Sequence, residues 1–152
     1  MNVRNVGGRR RCRASLALGV VSRYSVLMQT AFVVFLGAGF GGAARYGLNV
    51  IVTRIMGTGF PFGILLINLL GCFVMGIFAG WFALRGEPGT SMRLFLMTGV
   101  LGGFTTFSAF ALDTAILWER GAPGSAALYV LASVLGSVAA LGAGLALSRA
   151  IA

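Results

Sequence analysis

The sequence predicts an all-α integral membrane protein with four transmembrane helices. The third helix is expected to break mid-membrane. Three observations carry this reading. The 152 residues are 58% hydrophobic and only 10% charged, too apolar for an ordinary soluble domain. Four long apolar runs are separated by short turns rich in Gly and Pro. Within the third run lies Gly99–Phe110, where adjacent Gly102 and Gly103 are followed by the β-branched pair Thr105 and Thr106.

The first span runs over about residues 31–55. It is rich in glycine and contains Arg45, whose charge costs roughly 2.5–3.5 kcal/mol inside a span and must face a partner, a vestibule or the interface. The second, about 62–84, follows a turn ending in Pro61, which suits a first helical turn. Its one strongly polar residue is Asn68, and Gly76 and Gly80 form a small-residue stripe for close helix contact. The turn 85–91 offers Thr90 or Ser91 as a helix cap.

The third span, about 94–118, holds the predicted break. Each Gly costs a helix roughly 1 kcal/mol relative to Ala. Backbone groups freed at bilayer depth find no partner in lipid, so such a break has to be buried in protein or line a site. Loose carbonyls there can hold a cation, and the new helix start can face an anion. Thr105 or Thr106 can cap that start. Asp113 and Glu119 lie on the second half of this span.

The fourth span, about 125–148, follows the turn 121–124. It carries two stripes with a period of four: Ala132, Gly136, Ala140 and Gly144 as a packing seam, and Tyr129, Ser133 and Ser137 as a file of hydroxyls on one face. Inside a membrane such hydroxyls either bond back to the preceding turn or line a polar path.

The chain holds no His, and its two Cys, Cys12 and Cys72, fall in the N-terminal segment and in the second span. Zinc, iron–sulfur and Cys/His chemistry are therefore excluded. The acids Glu87, Asp113 and Glu119 suggest no catalytic pair, so the protein is not read as an enzyme. The net charge of +9 is not a nucleic-acid signal. Six of the twelve basic residues, all Arg, crowd into residues 1–23, where they can touch anionic lipid headgroups. Residues 1–27 are expected to be a disordered or untranslated extension with Met28 as the start, and 28–152 to be the membrane domain.

Outside the extension, Arg85, Arg93 and Arg149 fall on one side of a four-span chain, and Arg54 and Arg120 on the other. That is almost no bias under the positive-inside rule, so both orientations are open and can pair antiparallel.

Taken together, Gly41-Gly-Ala-Ala-Arg-Tyr46, then Asn68 with Gly71 and Gly76, and above all Gly102-Gly-Phe-Thr-Thr-Phe-Ser-Ala-Phe110 resemble the Fluc (CrcB) family of fluoride channels. The resemblance covers about residue 28 to the C-terminus. It implies a dual-topology homodimer in the cell membrane that passes fluoride passively through two parallel pores. It also implies a structural sodium ion, not transported, on the backbone carbonyls of Gly102 and Thr105. The fluoride pathway it implies comprises Asn68, Phe107, Ser108, Phe110, Tyr129, Ser133 and Ser137, with Arg45 at the vestibule or in structural support. Ala109 departs from the pattern, since relatives often carry a small hydroxyl residue there.

Two rivals compete with this reading. A four-span proton-coupled drug exporter wants an embedded carboxylate in the first span, where this chain has Arg45. A non-transporting membrane subunit would explain the glycines, but not Asn68, the hydroxyl file or the Thr-Thr-Phe-Ser segment.

Overall fold

The computed structural model describes the backbone over residues 6–85 and 89–151, and side chains over 25–84 and 89–151. Arg4, Glu87, the side chains of the other arginines up to Arg23, and those of Cys12 and Arg85 lie outside the described residues. Among the described residues every regular element is a helix. The elements are α1 (Val6–Met56), α2 (Phe62–Arg85), α3 (Thr90–Arg93), a π-helical stretch (Leu94–Leu101), α4 (Gly102–Phe104), α5 (Phe107–Glu119) and α6 (Pro123–Ile151).

Four segments are long and apolar enough to cross a membrane: Ser25–Met56, Phe62–Leu84, Thr90–Glu119 and Pro123–Ile151. The turns between them follow local chemistry. Gly57, directly after α1, and Gly121, one residue beyond the Arg120 cap of α5, take φ of +80° and +74°, a left-handed conformation that a side chain would oppose. Pro61 immediately precedes α2, its carbonyl accepting from the Leu65 N–H at 3.2 Å. Pro123 opens α6, where its missing N–H costs nothing. Neither Thr90 nor Ser91 caps α3. The helix already includes both, Gly89 takes the cap position with φ of +91°, and no side chain caps it.

Two close pairings organise the bundle. The more extensive joins α2 to α6. A Cβ added at Gly76 or Gly144 would overlap the backbone of the opposite helix, at the carbonyls of Leu141 and Phe73 respectively. The two small-residue stripes thus bring the helices to backbone contact. The second pairing lays α1 against the π-helical stretch and α4. Here a Cβ on Gly37 would stand 2.9 Å from the Gly99 Cα, and one on Gly41 would stand 2.8 Å from the Phe104 nitrogen while overlapping the Val100 carbonyl.

This contact yields a sharp expectation for two adjacent residues. Gly41→Ala forces α1 off its partner and costs about 1–3 kcal/mol, as overpacking does. Nothing lies within 4 Å of a Cβ at Gly42. Gly42→Ala should therefore hold or raise stability, by up to about 1 kcal/mol of helix propensity. Thermal unfolding of the two detergent-solubilised variants separates them, and equal midpoints would refute the assigned contact.

Leu94–Leu101 winds more widely than an α-helix, and the Gly102 N–H reaches the carbonyls of both Met97 and Gly99. Helical conformation then continues through Gly102, Gly103 and Phe104. The residues that leave it are the threonines: Thr105 at φ −77°, ψ 156° and Thr106 at φ −155°, ψ 120°. The glycines play separate roles. A Cβ at Gly103 would stand 2.6 Å from the Ala38 carbonyl oxygen, so Gly103 permits close approach by α1. At Gly102 the nearest atom would be 3.7 Å away, so no steric contact demands a glycine there.

Candidate functional site

Two extended residues between helices raise the question of where their backbone hydrogen bonds go. Asn68, on α2, answers half of it. Its Nδ2 donates to the Thr106 carbonyl at 3.1 Å, and its Oδ1 accepts from the Thr106 N–H at 2.9 Å. One side-chain amide thus stands in for a missing turn of helix. A second hydrogen on Nδ2 remains for another acceptor. Thr106 in turn caps α5, its Oγ1 accepting from the Ala109 N–H at 3.2 Å. Thr105 closes the preceding turn, its N–H and its hydroxyl each reaching the Leu101 carbonyl at 3.0 Å.

These bonds divert donors from two particular carbonyls. The regular α-helical donor to the Gly102 carbonyl is the N–H four residues on, that of Thr106, which is taken by Asn68. The regular donor to the Thr105 carbonyl is the Ala109 N–H, which is taken by the Thr106 hydroxyl. Both residues line one cavity of about 510 Å³.

That cavity lies between α2, the extended pair, α5 and α6. Asn68, Cys72, Phe107, Phe110, Ser133 and Ser137 also form its wall. No described residue that lines it carries a charge. Ser133 is 5% exposed, and its hydroxyl makes no hydrogen bond among the described residues. A buried hydroxyl without a hydrogen bond costs free energy, and this one belongs to a residue of the cavity wall, next to Tyr129. Phe107 and Phe110 sit 5.3 Å apart at 50°, on successive turns of α5. Phe110 is buried, whereas Phe107 is 78% exposed.

The other residues singled out in the sequence fall around this cavity in different ways. Tyr129 is fully buried behind it, its ring 5.4 Å from that of Phe110. Ser108 is exposed, and its hydroxyl lies 3.2 Å from Thr106 Oγ1 rather than on the cavity wall. Arg45 stands apart, half-buried on α1 and outside the described walls.

One residue enters that the sequence reading did not assign to the site. Tyr129 donates its hydroxyl hydrogen to Asp113 Oδ2 at 3.4 Å. Asp113 follows Phe110 by the same three-residue step that separates Phe107 from Phe110. That spacing was the available signal, since it keeps all three on one side of α5.

Four segments apolar enough to cross a membrane, three of which wall an uncharged cavity lined by an amide, hydroxyls and phenylalanines, define a small multi-pass membrane protein. Residues 32–145 match the family model described as CrcB-like protein, Camphor Resistance (CrcB), and the chain belongs to that family. It is 56% identical over 122 residues to the fluoride-specific ion channel FluC of Rhodopseudomonas palustris strain BisB5, covering 80% of this chain and 98% of that one. It is 57% identical over 116 residues to the fluoride-specific ion channel FluC 2 of Nitrobacter hamburgensis, covering 76% and 94%. A FluC of Paracoccus denitrificans is 50% identical over 125 residues, covering 82% and 98%.

Proposed function

We propose that this protein is a fluoride-selective passive channel of the cell membrane that lowers cytoplasmic fluoride. The observation that carries the reading is the uncharged polar cavity beside the extended pair. Fluoride is small and holds its water tightly, so a pore has to replace that water with many weak donors and still release the ion. The second Nδ2 hydrogen of Asn68 and the hydroxyls of Ser133 and Ser137 are donors of this kind. The edges of Phe107 and Phe110 add positive partial charge without a full cation that would hold the anion. Tyr129 and Ser108 belong to the same path, at its inner wall and beside the helix start. Arg45 serves the vestibule or the structure around it.

The working unit is an antiparallel dual-topology homodimer, and the extended pair lies at mid-membrane depth. Support comes from the cavity's open side. Gly102, Phe107, Val134 and Val138 on its rim are all exposed in the single chain. A cavity walled by Asn68, Thr105, Ser133 and Ser137 cannot open onto lipid without cost, and a second copy would cover it.

A sodium ion at the dimer centre fits the carbonyls of Gly102 and Thr105, whose regular helical donors are diverted. Oxygen ligands of this kind suit a hard monovalent cation. No cluster of His, Cys, Asp or Glu among the described residues offers an alternative metal site. When bound, the ion would satisfy the free carbonyls and make the interior less hostile to an anion. It is a brace, not cargo.

The test is passive anion efflux from liposomes, read in parallel by fluoride and chloride electrodes. Fast fluoride release with negligible chloride release is the expected result, and no fluoride flux from a folded dimer would sink the reading. Replacing sodium by N-methylglucamine during purification should lower both the thermal midpoint of the dimer and the flux. A midpoint indifferent to sodium would remove the ion from the proposal while leaving the channel standing.

A further inference from the structure

A second cavity, of about 170 Å³, lies beneath the turn that joins α1 to α2. Asn49 and Thr53 of α1, Thr58 and Phe60 of the turn, and Asp113 and Arg120 of α5 and its end contribute to its wall. The fully buried Tyr129 stands between the two cavities. Its ring meets Phe110, from the wall of the larger cavity, at 5.4 Å, and Phe60, from the wall of the smaller, at 5.6 Å and 89°. Its hydroxyl is bonded to Asp113, which faces the smaller cavity.

The two cavities differ in charge. Among the described residues of the smaller one, Asp113 and Arg120 carry opposite charges, seven residues apart and so on one side of the helix. A carboxylate alone in such a wall would repel an anion. Arg120 offsets it. The Arg120 guanidinium is exposed, and its Nη1 donates to the Thr58 carbonyl at 3.4 Å, the long end of hydrogen-bond range. That is one of five N–H donors. The remainder are available at the cavity mouth.

We propose that this cavity is an outer anion station in series with the larger one, with Arg120 as the residue that captures the ion and the Tyr129 ring as the partition between the stations. The proposal rests on the channel reading above. The ligand is a small hard anion that still carries part of its water. Asn49 and Thr53 supply further neutral polar groups at this station, and Phe60 backs the partition from the turn.

A charge that captures an ion acts at a distance and is screened by salt, whereas a bond that merely ties the turn to α5 is not. Arg120→Gln removes the charge and, its amide being two bonds shorter, the 3.4 Å bond to Thr58 as well, so the ionic-strength dependence of the loss, not the loss itself, separates the two. Fluoride efflux of Arg120→Gln is expected to fall about tenfold at low ionic strength and to recover to within about twofold at high ionic strength. Arg120→Lys should restore most of the loss. Asn49→Asp, isosteric and not a partner in the Thr58 bond, adds a negative charge to the same cavity and should reproduce the salt-dependent loss. This second variant keeps the test open if Arg120→Gln misfolds.

Unchanged flux in both variants, or a loss equal at all ionic strengths, overturns the station. Absence of fluoride flux from the unaltered protein is a different failure, that of the channel reading itself.

Discussion

Asn68→Ala is expected to cut fluoride efflux from liposomes by more than tenfold and to destabilise the protein together. The reason is that one side chain has two duties. Its amide replaces the helical partners of Thr106, donating at 3.1 Å and accepting at 2.9 Å, and it presents its remaining hydrogen to the cavity. Alanine leaves the N–H and the carbonyl of buried Thr106 unsatisfied, at about 1–3 kcal/mol for each. Asn68→Asp refines the test. The carboxylate still accepts from the Thr106 N–H, but when ionised it cannot donate to the Thr106 carbonyl and it repels an anion. Its flux should be lost as fully as in Asn68→Ala, and the carboxylate oxygen set against the Thr106 carbonyl should lower the thermal midpoint as well. An Asn68→Ala protein that conducts normally would show that the amide is a structural tie only.

The phenylalanines should divide stability from function in the opposite way. On the proposed pathway, Phe107→Ile and Phe110→Ile are both expected to reduce fluoride flux by at least tenfold without dissociating the proposed dimer, because each would remove an aromatic edge from that path. Their effects on folding should differ. Phe110 is 8% exposed and packs on Tyr129, so the smaller side chain leaves a gap costing on the order of 1–3 kcal/mol. Phe107 is 78% exposed in the single chain, so its replacement should cost the fold of one chain little, and any drop in thermal midpoint falls on the contact with the second copy. Flux assays paired with thermal unfolding of the single-substitution variants resolve the four quantities. Undiminished flux in Phe107→Ile would make that ring a lipid contact and confine the aromatic contribution to Phe110.

The sequence resolved some features more finely than others, and the differences have physical causes. The small-residue stripes on α2 and α6 were legible because a period of four on a helix is a statement about one face, and Gly76 and Gly144 do meet the opposite backbone. The Gly102–Gly103 pair was less legible. Poor helix propensity pointed to the glycines, yet both remain helical and the extended residues are Thr105 and Thr106. Propensity is a weak local term. The packing of Gly103 on Ala38 and the two hydrogen bonds from Asn68 decide the conformation instead.

Asn68 itself stood out as the one strongly polar residue of its span, but nothing in the linear chain says that it bonds to Thr106, thirty-eight residues away. Asp113 stood in the sequence as an isolated acid, and its place beside Tyr129 depends on how α5 leans on α6.

By itself, then, the sequence determined the class of the protein: a helical chain with four segments apolar enough to cross a membrane, marked by the motif from Gly102 to Phe110. Composition and period are properties of the chain alone, and they suffice for that. Only the tertiary structure decided which atoms are left without their regular partners. The diverted donors at Gly102 and Thr105, the unbonded Ser133 hydroxyl and the two cavities on either side of Tyr129 all arise from contacts between distant segments. A hydrogen bond made across the bundle removes a partner from the local helix, and no local pattern records that exchange.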